Sequence, residues 1–213
     1  MSDFELMFQL FALLLGLAMA ELLGGLARSW RLRAGAVRAG EAKIRIGWLV
    51  PLFGLLVLFD VTRFWVTIYA LRNHLTFDYA SLLAMLVIVG GYFAIATFVF
   101  PDEPGDWPDF DDYFLHTNRT VVAGMIVVNL TMIMYGVVLF AGGEPITDAP
   151  IARSWVSLSA ALIYIPGLVA LWIARSKRAN LILLVLANAL LLIAAFGPRL
   201  YWVSTWATSS TMT

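Results

Sequence analysis

The chain contains no cysteine and few charged residues. The lack of cysteine excludes disulfide bonds, thiolate metal sites and cysteine nucleophiles. Aspartate, glutamate, lysine and arginine together make up 13% of the sequence, whereas a soluble domain usually carries about 25%. The chain therefore has too few polar side chains to cover a surface that faces water, and we expect it to be embedded in lipid.

Histidine and the common catalytic motifs are also scarce or absent. His74 and His116 are the only histidines, and they fall in loops on opposite sides of the predicted membrane, so they cannot jointly ligate a haem. No glycine-rich phosphate loop, HExxH or GxSxG motif occurs. The basic first loop has few aromatic residues, which argues against nucleic acid as a partner. We therefore expect a non-enzymatic protein without a cofactor.

Long apolar segments dominate the rest of the sequence. Hydrophobic residues make up 62% of the chain, and the mean hydropathy is +0.87. Each apolar segment reaches or nearly reaches the ~20 residues that cross a hydrocarbon core of about 30 Å. The sequence thus predicts one all-α membrane domain over residues 1–213, with about six transmembrane helices. The predicted spans are 4–27, 46–71, 79–100, 120–140, 154–174 and 180–197.

The basic residues predict the orientation of these helices. Most of the 14 lysines and arginines lie in the first, third and fifth loops. Because lysine and arginine resist translocation, we place these loops in the cytoplasm and both termini outside, in a bacterial inner membrane. The basic residues of these loops are Arg28, Arg31, Arg33, Arg38, Lys43, Arg45, Arg119, Arg175, Lys177 and Arg178.

Charged residues inside the predicted spans are candidate functional groups, because a charge in the bilayer is costly. Asp60 and Arg63 are three residues apart on the second span, so they share a helix face and can pair. They form either an anion or proton site or a structural ion pair. Glu21 lies inside the first span. It pairs with Arg28, two turns further on, or with an arginine of another helix, or else it stays protonated and serves a proton path.

Uncharged residues in the spans point to helix packing. Asn129 and Asn188 fall near the middle of their spans, where an amide most often joins two helices by a hydrogen bond. A stripe of small residues on the first span allows close helix approach, either to another helix of this chain or to a partner subunit. Its members are Ala12, Gly16, Ala20 and Gly24.

The third loop, residues 101–119, combines many acids with aromatic residues. Asp106 and Pro108 predict the start of a short helix over about 106–116, whose aromatic stripe lies on the membrane surface. We expect the acids of the loop to dock on the basic first loop. Three side chains, Asp109, Asp112 and His116, would share a face, but their spacing matches no metal signature, so we expect a solvated acidic face and no metal.

Two further features complete the predictions from sequence. Residues 199–207 form either the end of the last helix or a short interfacial helix. The stretches AELLGG (20–25), PLFGLLVLFDVTRFW (51–65) and FPDEPGDWPDFDDYF (100–114) resemble those of uncharacterised bacterial multi-pass membrane proteins. This resemblance implies no activity.

The sequence leaves several functions open. The first is an accessory or assembly subunit of a membrane complex, whose partners are membrane lipid and either other subunits or further copies of the chain. The second is a small transporter or a proton or ion conduit that uses Glu21, Asp60 and Arg63. The third, an enzyme that acts on lipid within the membrane, lacks a nucleophile and base that can be named.

Overall fold

The computed structural model describes residues 3–35, 44–70, 78–141 and 155–209. Within these ranges the chain is all-helical, as predicted, with six α-helices and no strand beyond one isolated bridge. The helices are α1 (Asp3–Arg33), α2 (Leu49–Ala70), α3 (Tyr79–Thr97), α4 (Phe110–Ala141), α5 (Trp155–Ile173) and α6 (Lys177–Ser209).

Four of these helices contain segments long and apolar enough to cross a membrane. They are Phe8–Arg33, Leu49–Tyr69, Phe110–Tyr135 and Lys177–Phe196. Shorter apolar segments, Ser81–Thr97 and Ile163–Ile173, lie in α3 and α5. The helices present many large apolar side chains to the outside, which suits a membrane protein.

The second helix occupies the centre of the bundle. It contacts α1, α3, α4 and α6, while α5 packs between α4 and α6. The side chains of Phe53, Leu56, Val57 and Val61 on α2 are fully buried among these neighbours. A side chain near the middle of α2 therefore meets protein on several sides rather than lipid.

One predicted helix differs from the structure, and a second prediction had left two alternatives open. Residues 106–116 do not form a separate helix, because a 3-10 turn covers Pro104–Asp106 and α4 begins at Phe110 and continues without a break to Ala141. Residues 199–207 belong to α6, so of the two alternatives the structure has the end of the last helix.

A phenylalanine ring fixes the close approach of α1 and α2 near one end of the bundle. The buried ring of Phe100, just after α3, lies directly against Gly25 of α1 and Gly54 of α2. A Cβ atom at either glycine would overlap this ring. Glycine is therefore needed at both positions because a side chain would not fit there, and not because the backbone adopts an unusual conformation.

The predicted stripe of small residues on α1 lies on the outer surface of the bundle. Gly16 and Gly24 are exposed, and a Cβ atom built at either has no other described heavy atom within 4 Å. Ala20, between them, is exposed as well. This stripe therefore faces away from the other described helices. Close packing within the chain depends instead on Gly25.

Candidate functional site

Asp60 is the one fully buried acidic side chain of the described residues. It lies at the middle of α2, and Arg63 Nη2 is 3.3 Å from its Oδ1 atom. This contact confirms the pairing that their three-residue spacing predicted. Arg63 keeps 32% of its side chain exposed, so the cation, unlike the carboxylate, reaches the edge of the protein interior.

Asn129 of α4 contacts both members of this ion pair. Its Nδ2 atom donates hydrogen bonds to Asp60 Oδ2 and to the carbonyl oxygen of Met125, each over 2.9 Å. Its Oδ1 atom accepts a hydrogen bond from Arg63 Nη2. The amide therefore joins α4 to α2, as predicted for an asparagine within a membrane helix.

Two tyrosines that the sequence analysis did not single out complete the site. Tyr92 of α3 donates its hydroxyl hydrogen to Asp60 Oδ2 over 3.1 Å. The ring of Tyr164 on α5 lies 4.7 Å from Arg63 Cζ, and its buried hydroxyl lies near the Asp60 carboxylate but has no hydrogen-bond partner among the described residues. Tyrosines of membrane helices usually lie at the interfaces, so a tyrosine well inside a span was the available signal, because its hydroxyl needs a partner there.

We call these five residues, Asp60, Arg63, Tyr92, Asn129 and Tyr164, the Asp60 cluster. It draws side chains from four helices, α2 to α5, around one carboxylate. The Asn129 amide and the Tyr92 phenol donate hydrogen bonds to Oδ2, and Arg63 forms an ion pair with Oδ1, which has no hydrogen-bond partner among the described residues. These contacts offset part of the cost of burying the charge. Chemically, the cluster can hold a fixed negative charge or exchange a proton among hydrogen-bonded groups.

Glu21 does not belong to this cluster. Its Oε1 atom lies 3.6 Å from Arg28 Nη2, which is the pairing that the sequence offered as one alternative. Both side chains are partly exposed at the surface of α1. Nothing in the described ranges joins Glu21 to Asp60, so the structure separates these two carboxylates into different sites.

Asn188 connects a different pair of helices. Its Nδ2 atom donates to the carbonyl oxygens of Leu52 on α2, over 3.0 Å, and of Leu184 on α6, over 2.8 Å. The bond to Leu52 holds α6 against the central helix, so this amide acts as predicted for helix packing.

The third loop docks on the end of the first loop through its backbone. Arg45 N donates to the carbonyl oxygen of Pro108 over 2.8 Å, and Phe110 N donates to the carbonyl oxygen of Arg45 over 3.1 Å. Asp111 Oδ1 also accepts a hydrogen bond from Leu49 N over 3.3 Å, at the start of α2. The expected docking of loop three on loop one is thus present, but backbone groups and one helix cap provide it.

Two acidic side chains of the third loop form ion pairs with Lys177 of the fifth loop. Lys177 Nζ, at the start of α6, lies 3.1 Å from Asp109 Oδ2 and 2.6 Å from Asp112 Oδ1. Partial burial raises the pKa of Asp109, but the N–H of Asp111 and the Lys177 ammonium together hold it below its ordinary value. The third loop therefore pairs with the fifth loop, which the sequence analysis did not anticipate, since it matched the acids to the larger basic cluster.

The aromatic stripe of the third loop faces inward rather than onto a membrane surface. Phe110 and Phe114 are buried, and the Phe114 ring meets Phe53 of α2 edge to face at 5.1 Å between centroids. His116 packs on the Trp107 ring, 5.6 Å away, instead of joining the acids. No group of three histidine, aspartate or glutamate side chains in the described ranges is placed to hold a metal ion.

The fold and this site define an all-helical bundle, apolar enough for a membrane, with a buried polar cluster at its centre. No protein-family model matches the chain, and neither a known protein nor a solved structure is significantly similar to it.

Proposed function

We propose that this protein is a non-enzymatic accessory or assembly subunit of a membrane protein complex. In this proposal it lies in a bacterial inner membrane, with six spans and with both termini outside. The observation that carries it is the Asp60 cluster, in which side chains of α2, α3 and α4 contact one buried carboxylate. The most costly polar group of the bundle is thus engaged in holding helices together.

The contacts of Asp60 favour a structural role over an exchangeable one. Tyr92 and Asn129 donate hydrogen bonds to the carboxylate, and Arg63 pairs with it and also bonds to the amide of Asn129. A substrate or ion that bound Asp60 would have to displace these side chains. Each displaced side chain would then lose its own contact with the carboxylate. Glu21 is likewise paired within the chain, to Arg28.

The outward face of α1 supports the proposal that the chain binds another subunit. Gly16, Ala20 and Gly24 form a flat strip, and the neighbouring side chains of Leu13 and Leu17 are exposed. In lipid, small residues four apart allow another helix to approach closely enough for extensive van der Waals contact. This face can therefore receive a helix of another subunit without rearrangement of the bundle.

The loop contacts support the proposed topology. Loops one, three and five meet at one end of the bundle through the Arg45–Pro108 hydrogen bond and the Lys177–Asp109 ion pair. These are the three loops that carry most of the basic residues. Their assembly on one side agrees with a cytoplasmic location for all of them.

The test is isolation of the tagged chain from native membranes in mild detergent, followed by mass spectrometry of the intact assembly. We expect a stoichiometric complex with another membrane subunit, which Gly24→Leu disrupts. Gly167→Leu on α5 is the matched control, because its Cβ position is equally free of neighbours. A chain that is always isolated alone, or a complex that both variants disrupt equally, would contradict the proposal.

A proton or ion conduit is the second candidate, and one observation favours it. The Asp60 carboxylate accepts a hydrogen bond from the Tyr92 hydroxyl, and its Oδ1 atom and the nearby Tyr164 hydroxyl are buried without a hydrogen-bond partner among the described residues. Protonatable groups therefore adjoin inside the bundle. If this is the function, the purified chain in liposomes conducts protons, and Asp60→Asn abolishes the flux while the protein remains folded. Liposomes as tight with the chain as without it would exclude this candidate.

A further inference from the structure

A groove of about 360 Å³ lies between the end of α1 and the start of α2. Its wall is apolar and includes Leu26, Pro51 and Leu55. Two exposed tryptophans, Trp30 and Trp48, also line it. Tryptophan rings are typical of the headgroup level of a membrane, so this groove has the character of a site at the edge of the hydrocarbon core.

One cation also lines this groove. The guanidinium carbon of Arg33 lies 3.8 Å from the centroid of the Trp48 ring, so the two side chains are stacked. No acidic side chain of the described residues forms an ion pair with Arg33. A guanidinium stacked on a ring keeps the N–H groups at its edge free for an anion, and their fork suits the oxygens of a phosphate.

We propose that this groove binds an anionic phospholipid. One acyl chain lies along Leu26, Pro51 and Leu55, and the phosphodiester accepts hydrogen bonds from Arg33 at the level of the two tryptophans. The apolar wall and the Arg33 guanidinium match the two parts of such a lipid, whereas a partner helix would leave this cation without an anion.

The surrounding charges agree with an anionic ligand. Arg31 lies in the same last turn of α1 and carries its charge at the surface. Asp111, the acid that packs on Gly47 beside the groove, is engaged by Leu49 N. Arg33 therefore faces the groove beside a second positive charge at the surface, and no described carboxylate forms an ion pair with it.

The experiment measures binding of two lipids to the full chain in detergent by native mass spectrometry. The lipids are phosphatidylglycerol and phosphatidylcholine with identical acyl chains. We expect the first to bind roughly fivefold more tightly, the effect of one basic side chain near an anionic headgroup. Inorganic phosphate at millimolar concentration should not compete, since it lacks the acyl chain. Equal binding of both lipids, or competition by phosphate alone, would overturn the proposal.

Two variants locate the site. Arg33→Gln should bring the preference for phosphatidylglycerol close to one, while Arg31→Gln, an equal charge loss that does not line the groove, should preserve it. Ala27→Phe, which fills part of the groove, should weaken binding of both lipids. If Arg33→Gln and Arg31→Gln reduce the preference equally, a diffuse basic surface rather than the groove binds the lipid. A preference that Arg33→Gln leaves unchanged would also refute the site.

Discussion

The hydroxyl of Tyr92 on α3 donates a hydrogen bond to the carboxylate of Asp60 on α2, over 3.1 Å. Both side chains are buried, so water cannot replace either partner. The bond therefore couples the position of α3 to that of α2, because separation of the helices leaves two polar groups unsatisfied.

The first prediction tests the ion pair at the centre of the Asp60 cluster. Arg63→Leu should lower the free energy of unfolding strongly, toward the ~3–5 kcal/mol seen when one partner of a buried pair is removed, because Asp60 loses its cation. Adding Asp60→Leu should restore much of this loss. The measurement is unfolding in detergent across the double-mutant cycle. If Arg63→Leu alone is as stable as the native chain, the pair is not structural.

The second prediction concerns Tyr92 itself. Tyr92→Phe should lower the free energy of unfolding by about 1–3 kcal/mol, because the buried carboxylate loses one of its two hydrogen bonds. Tyr79→Phe on the same helix is the control and should be neutral, since Tyr79 is 81% exposed. Equal stability of the two variants would show that the hydroxyl contributes nothing at Asp60.

The third prediction addresses the contact between the third and fifth loops. Lys177→Ala should lower stability at low salt by roughly 0.2–1 kcal/mol for each exposed ion pair removed. The loss should shrink as salt is raised, because screening acts over about 10 Å at 0.1 M and about 3 Å at 1 M. Arg178→Ala, the neighbouring exposed base, should have little effect. A loss that does not depend on salt would indicate packing rather than charge.

The fourth prediction is a pH dependence at Asp109. Its pKa in the folded chain lies below the ordinary value of 3.8, so the unfolded chain binds more protons in this range. The stabilisation is therefore complete above pH 3.8 and is lost as the pH falls through the lower folded value. Asp109→Asn should remove this component, whereas Asp102→Asn, an exposed acid of the same loop, should retain it. Identical acid profiles for the two variants would contradict the assignment.

The fifth prediction compares two adjacent glycines. Gly25→Ala should destabilise the chain by about 1–3 kcal/mol, because the new methyl group overlaps the Phe100 ring. Gly24→Ala, one residue earlier, should be neutral or slightly stabilising, since its Cβ position is open and alanine favours the helix. Combining Gly25→Ala with Phe100→Leu should recover part of the loss. Thermal unfolding of the purified variants distinguishes these outcomes.

The part of the site that lies on one helix was predictable from sequence, and the part that crosses helices was not. Asp60 and Arg63 follow from a three-residue spacing, which fixes their common face whatever surrounds them. Tyr92 and Tyr164 depend on how α3 and α5 pack, and no spacing within either helix carries that information. Their place in the cluster emerges only when the helices pack.

The same distinction explains the third loop. Its acids were matched to the larger basic cluster, but the actual partner, Lys177, is selected by the position of α6. The helix prediction over 106–116 was misled by Asp106 and Pro108, which are also good turn residues. Phe110 and Phe114 are buried in the first turns of α4, and Phe114 faces Phe53, because the helix that carries them enters the bundle directly.

The hydrogen bond from Leu49 N to Asp111 has a consequence for biosynthesis. The acceptor lies 62 residues after the donor, so α2 leaves the ribosome and enters the membrane before its cap has been made. Until α4 follows, water or a lipid headgroup must satisfy that N–H group at the membrane edge. The first turn of α2 therefore reaches its final form only when the second half of the protein has been made. The hydrogen bond to Asp111 thus forms late in the assembly of the chain.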